Sequence, residues 1–147
     1  MKELLYLKDD QLKDLIEKIF ISYRETFSDS KEILEKYSIG LAHQKVIHLL
    51  SMYKGITISG LLKKLKITKQ SLNRVLQDLK KMKIIKQLKD NNDSRRKLLY
   101  LDQTGKKFYN EIFQSQKKRI FNALKNSDSD SVVKFKQVLE KIINGKK

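Results

Sequence analysis

The chain has 147 residues, 39% of them apolar, which suits one compact domain or a small domain with helical attachments. It carries 33 basic against 17 acidic side chains, a net charge of +16, and no cysteine, which excludes thiolate catalysis, disulfides and Cys-ligated zinc. No run of about 18 apolar residues is available for a membrane span, and acidic residues break the N-terminus "MKELLYLKDDQLKD" before a signal-peptide apolar region could form, so a cytoplasmic protein with no membrane partner is expected.

Leu12, Leu15, Ile16, Ile19, Phe20, Tyr23 and Phe27 recur at three- and four-residue steps and predict an amphipathic helix starting near Asp9 or Asp10. After the polar "SDSKE", the stripe Leu41, Val46, Ile47, Leu50, Tyr53 predicts a shorter helix ending at Lys54-Gly55. Thr57 is placed to cap a two-turn helix through Leu61, Leu62 and Leu65. "Lys66-Ile67-Thr68" is then a brief turn, with Thr68 capping a helix whose Leu72, Val75, Leu76 and Leu79 face inward. Two short helices joined in this way are a helix-turn-helix.

Next come "IIKQLKD" and "KLLYL", apolar-rich runs separated by "NNDSRR", which read as a β-hairpin with a polar tip and complete a winged helix. Asp102 is placed to cap a long helix with Phe108/Ile112, Tyr109/Phe113 and Ile120/Leu124 at i, i+4 spacing. "NSDSDS" interrupts it, Asp128 and Asp130 suit the start of a last helix, and Val132, Phe135, Val138, Leu139, Ile142 and Ile143 stripe that helix up to Asn144-Gly145. The expected fold class is mainly α with a small β-hairpin (α+β). A single domain over 1–147 holds a winged helix-turn-helix lobe at 40–107, flanked by helices at 9–36 and 108–145. A winged-helix core needs only about residues 40–101, so the remaining apolar stripes require burial elsewhere, and a two-fold homodimer built from residues 9–28 and 108–143 is expected.

Charge is unevenly placed. Residues 40–107 hold 14 Lys and 3 Arg against Asp78, Asp90, Asp93 and Asp102, with no glutamate, a net +13; the other 79 residues net +3. A lysine-rich codon bias would spread the lysines without clearing acids from one segment, so a nucleic-acid surface in mid-chain is expected. On the helix from Thr68, the residues opposite the buried stripe are Gln70, Arg74, Gln77 and Lys81, with Asn73 beside them. Amides pair with adenine and arginine with guanine, whereas a merely solvated face would mix Glu with Lys. Gln70, Ser71, Asn73 and Arg74 are the candidates for the major groove of double-stranded DNA. Thr68 and Lys69 lie in the first turn, with Lys69 suited to phosphate.

The hairpin tip uses two of the chain's five arginines although lysines number 28. Guanidinium is flatter and more weakly hydrated than ammonium, which suits a narrow minor groove. Asp93, two residues before Arg95, can orient it; Arg95 is the expected groove reader, and Arg96 and Lys97 face phosphate or solvent. Enzymatic signals are poor. His43 and His48 lie about 140° apart on a helix and share no metal-binding face. "DNNDSRR" lacks the sixth-position glycine of a calcium loop, and no phosphate loop or zinc-hydrolase motif occurs. No enzyme activity, cofactor or metal is expected.

The segment "ITISGLLKKLKITKQSLNRVLQDLKKMKIIKQLKDNNDSRRKLLYLDQTGKKF" resembles the winged-helix region of the multiple antibiotic resistance regulator (MarR) family, over about residues 39–108. The most specific match is the wing pattern Asp93-x-Arg95, then Lys97, Leu101 and Gly105. The resemblance implies a dimeric transcription regulator that puts residues 68–82 in the major groove and the 90–97 wing against the minor groove. It also implies that a small anionic or phenolic effector often releases the DNA. Lys66 and Lys83 depart from the family's usual turn glycines, Leu62 from a small alanine, His43 from a glutamine and Asp102 from a threonine. A repressor reading a pseudo-palindrome is the expectation. The alternatives are a protein that coats or bends DNA without sequence choice, and a winged-helix module for protein partners.

Overall fold

Two aspartates, Asp9 and Asp10, occupy the first turn of α1 (Asp9–Ser28), where carboxylates complement the exposed N–H groups of a helix start. The computed structural model describes residues 4–145 and continues with α2 (Lys31–Lys36), α3 (Leu41–Met52), β1 (Ile56–Thr57), α4 (Ile58–Leu65), α5 (Lys69–Lys81), β2 (Ile85–Lys89), β3 (Lys97–Leu101), α6 (Gln103–Lys125) and α7 (Ser129–Asn144). A short 3-10 turn, Leu5–Leu7, precedes α1. The chain divides into two compact units, Phe27–Gln114 and the pair of segments up to Thr26 and from Ser115.

In the unit Phe27–Gln114 the strands form an antiparallel sheet in the order β1-β3-β2, with Ile56 opposite Leu99 and Ile85 opposite Leu101. One face of that sheet closes on the inward stripes of α3, α4 and α5. Val46, Ile47, Leu61, Leu72, Leu79 and Leu99 are fully enclosed, each worth about 1.5–3 kcal/mol of burial. The unit reaches beyond the 40–107 lobe read from the sequence. Leu34 and Ile39, before that lobe in sequence, and Phe108 and Ile112, after it, join the same core, and the Phe108 ring meets Tyr37 edge-on at 4.6 Å.

Two elements escaped the sequence reading. The polar "SDSKE" contains the start of α2, a helix whose single buried anchor, Leu34, is too little to show periodicity. β1 has two residues and is defined by its partner β3 rather than by its own pattern. The third helix also ends sooner than expected, at Met52, and Gly55 serves the following turn instead, with φ of +81° and a Cβ position only 2.9 Å from Tyr100 Oη. Lys66 and Lys83, which stand where glycines are usual, adopt left-handed φ of 52° and 59°, at about 1 kcal/mol each.

The two histidines serve different helices. His43 Nδ1 accepts the Gly40 N–H at 3.2 Å, so Nε2 holds the proton and donates to Asp78 on α5 at 2.9 Å. His48 meets the Tyr109 hydroxyl of α6 at 3.3 Å, and burial pushes its pKa below the ordinary histidine value. A depressed pKa means that the unfolded chain binds the proton more readily. The stabilisation is therefore complete above the unfolded histidine value, near 6.5, and is lost as pH falls towards the folded one. Urea unfolding between pH 7.5 and 5 is expected to show this decline, and His48→Gln to flatten it.

The other unit consists of α1 up to Thr26, α6 from Ser115, and α7. Gln116 Nε2 donates to the Thr26 carbonyl at 3.2 Å, and Arg119 lies 3.9 Å from Glu25. Asp128 caps α7 by accepting the Ser131 N–H and hydroxyl, each at 2.8 Å, which lowers its pKa. No residue of α1 or α7 is buried. Ile16, Phe20, Phe135 and Val138 are 63%, 55%, 54% and 49% exposed, an uncovered apolar surface of a kind that folded chains seldom leave in water.

Candidate nucleic-acid interface

Thr57 starts the helix-turn-helix by accepting the Gly60 N–H at 3.0 Å. Lys66 ends α4 in its left-handed conformation, and the chain turns directly into the second cap. There Thr68 Oγ1 accepts the Ser71 N–H at 3.1 Å and donates to Ser71 Oγ at 2.8 Å. That cap holds Thr68 and Ser71 to each other, leaving the Ser71 hydroxyl proton available to an outside acceptor.

Along α5 the buried stripe is Leu72, Val75, Leu76 and Leu79. Opposite it, Lys69, Gln70, Asn73, Arg74 and Gln77 line a shallow hollow of about 400 Å³. All five belong to the face or first turn that the sequence pattern marks, and Lys81 and Ser71 do not line the hollow. The one acid on this helix, Asp78, is occupied by His43, so nothing anionic faces the hollow.

The wing is shaped by its two aspartates. Asp90 N–H donates to the Arg96 carbonyl at 3.0 Å and Arg96 N–H to the Asp93 carbonyl at 2.9 Å, closing the loop between β2 and β3. Asp93 Oδ1 accepts the Arg95 backbone N–H at 3.0 Å and its Nε at 3.3 Å. Arg96 Nε stands 4.0 Å from Asp90. Exposed pairs of this kind contribute under about 1 kcal/mol, so their effect is direction rather than stability. The Arg95 side chain is 92% exposed and that of Arg96 59%, so Arg95 projects further.

Helix and wing face each other. Lys69 and Asn73 of α5, with Arg95, Arg96 and Lys97 of the wing, line a single groove of about 800 Å³, completed by residues of α4 that include Ser59 and Lys63. For α4 the sequence offers one signal only, the adjacent lysines of "LLKKLK". Among the described residues no group of three or more His, Cys, Asp or Glu is placed to hold a metal, and no helix is long and apolar enough to cross a membrane.

A helix-turn-helix whose second helix exposes amides and cations, continued by a wing with two projecting arginines, defines a winged-helix DNA-binding protein. The model of the MarR family matches residues 40–96. The HTH-type transcriptional regulator PetP of Rhodobacter capsulatus is 34% identical over 141 residues, covering 96% of this chain and 85% of that one. Among solved structures, a point mutant of E. coli MarR complexed with operator DNA superposes with a TM-score of 0.65 at 23% identity, over 95% of this chain and 99% of that one. NadR in complex with 4-hydroxyphenylacetate does so with a TM-score of 0.75 at 21% identity, over 97% of each. The chain belongs to the MarR family, whose members are transcription regulators rather than enzymes.

Proposed function

We propose that this protein is a cytoplasmic transcriptional repressor that binds a pseudo-palindromic duplex as a homodimer, with half-sites about one helical turn apart. The observation that carries the reading is the acid-free hollow of α5, with Lys69, Gln70, Asn73, Arg74 and Gln77 on one helix face beside the wing arginines. In this reading Gln70, Ser71, Asn73 and Arg74 meet base edges, Thr68 fixes the helix start, and Lys69 holds phosphate. Arg95, oriented by Asp93, enters the minor groove while Arg96 and Lys97 lie on the backbone. The operator complex of MarR supports the DNA reading, and the exposed stripes of α1 and α7 support a second copy as their cover. The 4-hydroxyphenylacetate complex of NadR supports the binding of a small anionic or phenolic effector, and release of the DNA by it is part of the proposal.

Selection of duplexes from a random pool tests the core of the reading, which requires enrichment of a palindrome. On the selected duplex, Arg74→Ala is expected to lose about 1–3 kcal/mol and to relax preference at one base pair, whereas Lys69→Ala weakens selected and random DNA alike. Equal losses on both DNAs for Arg74→Ala would remove it from base readout. The excess of 28 lysines over five arginines favours the coating protein as the second reading, and similar affinities for selected and random duplexes across a salt series would establish that instead.

A further inference from the structure

We infer that His43 is a positioning residue for base readout: it holds the Asp78 carboxylate away from Arg74, so that the Arg74 guanidinium stands free to meet a base. This rests on Arg74 as a base reader in the function proposed above, and adds to it a residue of α3 that lines neither the hollow nor the groove. Asp78 is the one acid of α5. It follows Arg74 by four residues, a spacing at which side chains of a helix are neighbours and opposite charges pair. A guanidinium paired in this way would have its donors turned onto its own chain. Instead the carboxylate accepts the His43 Nε2–H at 2.9 Å, and among the described residues Arg74 pairs with no carboxylate.

The imidazole is held at both ring nitrogens. Nδ1 accepts the Gly40 N–H at 3.2 Å, which leaves the proton on Nε2 and directs it across to α5. Ile47, one turn further along α3, and Leu79, next to Asp78, are both fully buried in the core. The pair therefore sits at the edge of two packed helices, and their packing sets its approach. The His43 side chain is 17% exposed and that of Asp78 47%, so the carboxylate, if untethered, is free to turn towards Arg74 on one side or Lys81 on the other. The histidine supplies the tether from outside the hollow in which Gln70, Asn73, Arg74 and Gln77 converge.

The test compares the full chain on two duplexes: the palindrome enriched from the pool, and the same duplex changed at the base pair where Arg74→Ala relaxes preference. The ratio of the two affinities is the readout, because both duplexes carry the same charge and a change in general affinity cancels. His43→Ala is expected to lower that ratio about two- to fivefold, the strength of an i, i+4 ion pair raised where DNA excludes water. His43→Phe, which keeps a ring but donates nothing, should match it. His43→Ala/Asp78→Asn should restore the native ratio, since no carboxylate remains to hold Arg74. His43→Gln should keep it, because an amide can accept the Gly40 N–H and donate to Asp78. Without DNA, the Arg74 Nε–H resonance is expected to shift in His43→Ala and to return in the double variant.

A ratio lowered in His43→Ala and not restored by Asp78→Asn makes His43 a packing residue and overturns the inference, leaving the regulator reading intact. An unchanged ratio in both His43→Ala and His43→Phe, or an Arg74 resonance that does not move, overturns it as well. An Arg74→Ala variant with no base preference to lose overturns the base-reading role and the inference together. Urea unfolding of each variant confirms the fold. Any stability lost with the Gly40 contact is common to His43→Ala and the double variant, so it does not produce the rescue.

Discussion

A Phe135→Glu/Val138→Glu variant is expected to sediment as a monomer at micromolar concentration and to bind its operator about two to four orders of magnitude more weakly than the native protein. The two side chains lie on α7, three residues apart on one face, 54% and 49% exposed and without any buried neighbour on that helix. Carboxylates there do not disturb the packing within the unit, but in a dimer they would be desolvated between apolar surfaces. The affinity loss follows from linkage rather than from any DNA contact. Two half-sites held together act at an effective concentration that a free monomer cannot reach, an advantage of about 10² to 10⁴. Retention of the dimer, or unchanged operator affinity in a monomer, would remove the two-fold arrangement from the proposed function.

Gly105→Ala is expected to destabilise the fold by at least about 3 kcal/mol, read as a lowered urea midpoint with the slope unchanged. A Cβ at this position would stand 2.0 Å from the Ile84 carbonyl oxygen and 2.9 Å from its carbon. Neither atom can swing aside as a side chain would, and the oxygen is tied further by the Asp102 N–H at 2.8 Å. The first turn of α6 is thereby pressed against the entrance to β2, with no room for even one methyl group. Gly40→Ala is the comparison, since nothing lies within 4 Å of its added Cβ. It occupies a helix N-cap, so a cost within about 1 kcal/mol is expected there.

The winged-helix elements were legible because each one carries its own signals. Thr57 and Thr68 cap, Leu72 to Leu79 repeat at helical spacing, and the hairpin runs are divided by turn residues. α2 and β1 carry no such signal, because a one-anchor helix and a two-residue strand exist through what they pack or pair against. The amphipathic stripes of α1 and α7 were visible too, and in the structure they stand exposed.

The candidate site divides in the same manner. Gln70, Asn73, Arg74 and the wing arginines could be read from residue type and helical angle, which are local quantities. The pairing of His43 with Asp78 joins residues 35 apart in sequence. Lys63 lines the groove between α5 and the wing, while the Lys64 ammonium lies over the Tyr53 ring, 4.2 Å from its centroid. Only the folded arrangement separates those two lysines.

The left-handed lysines set chain strain against charge. At φ of 52° and 59°, Lys66 and Lys83 occupy conformations that glycine adopts without strain. Glycine would relieve that crowding of about 1 kcal/mol and return roughly half of it as chain entropy. It would also remove one positive charge from a lobe drawn to DNA by its charge. Lys66→Gly should therefore melt slightly higher and bind slightly more weakly. At each turn, then, the strain that lysine carries and the charge that it brings to the lobe pull in opposite directions, and Lys66→Gly separates the two in one variant.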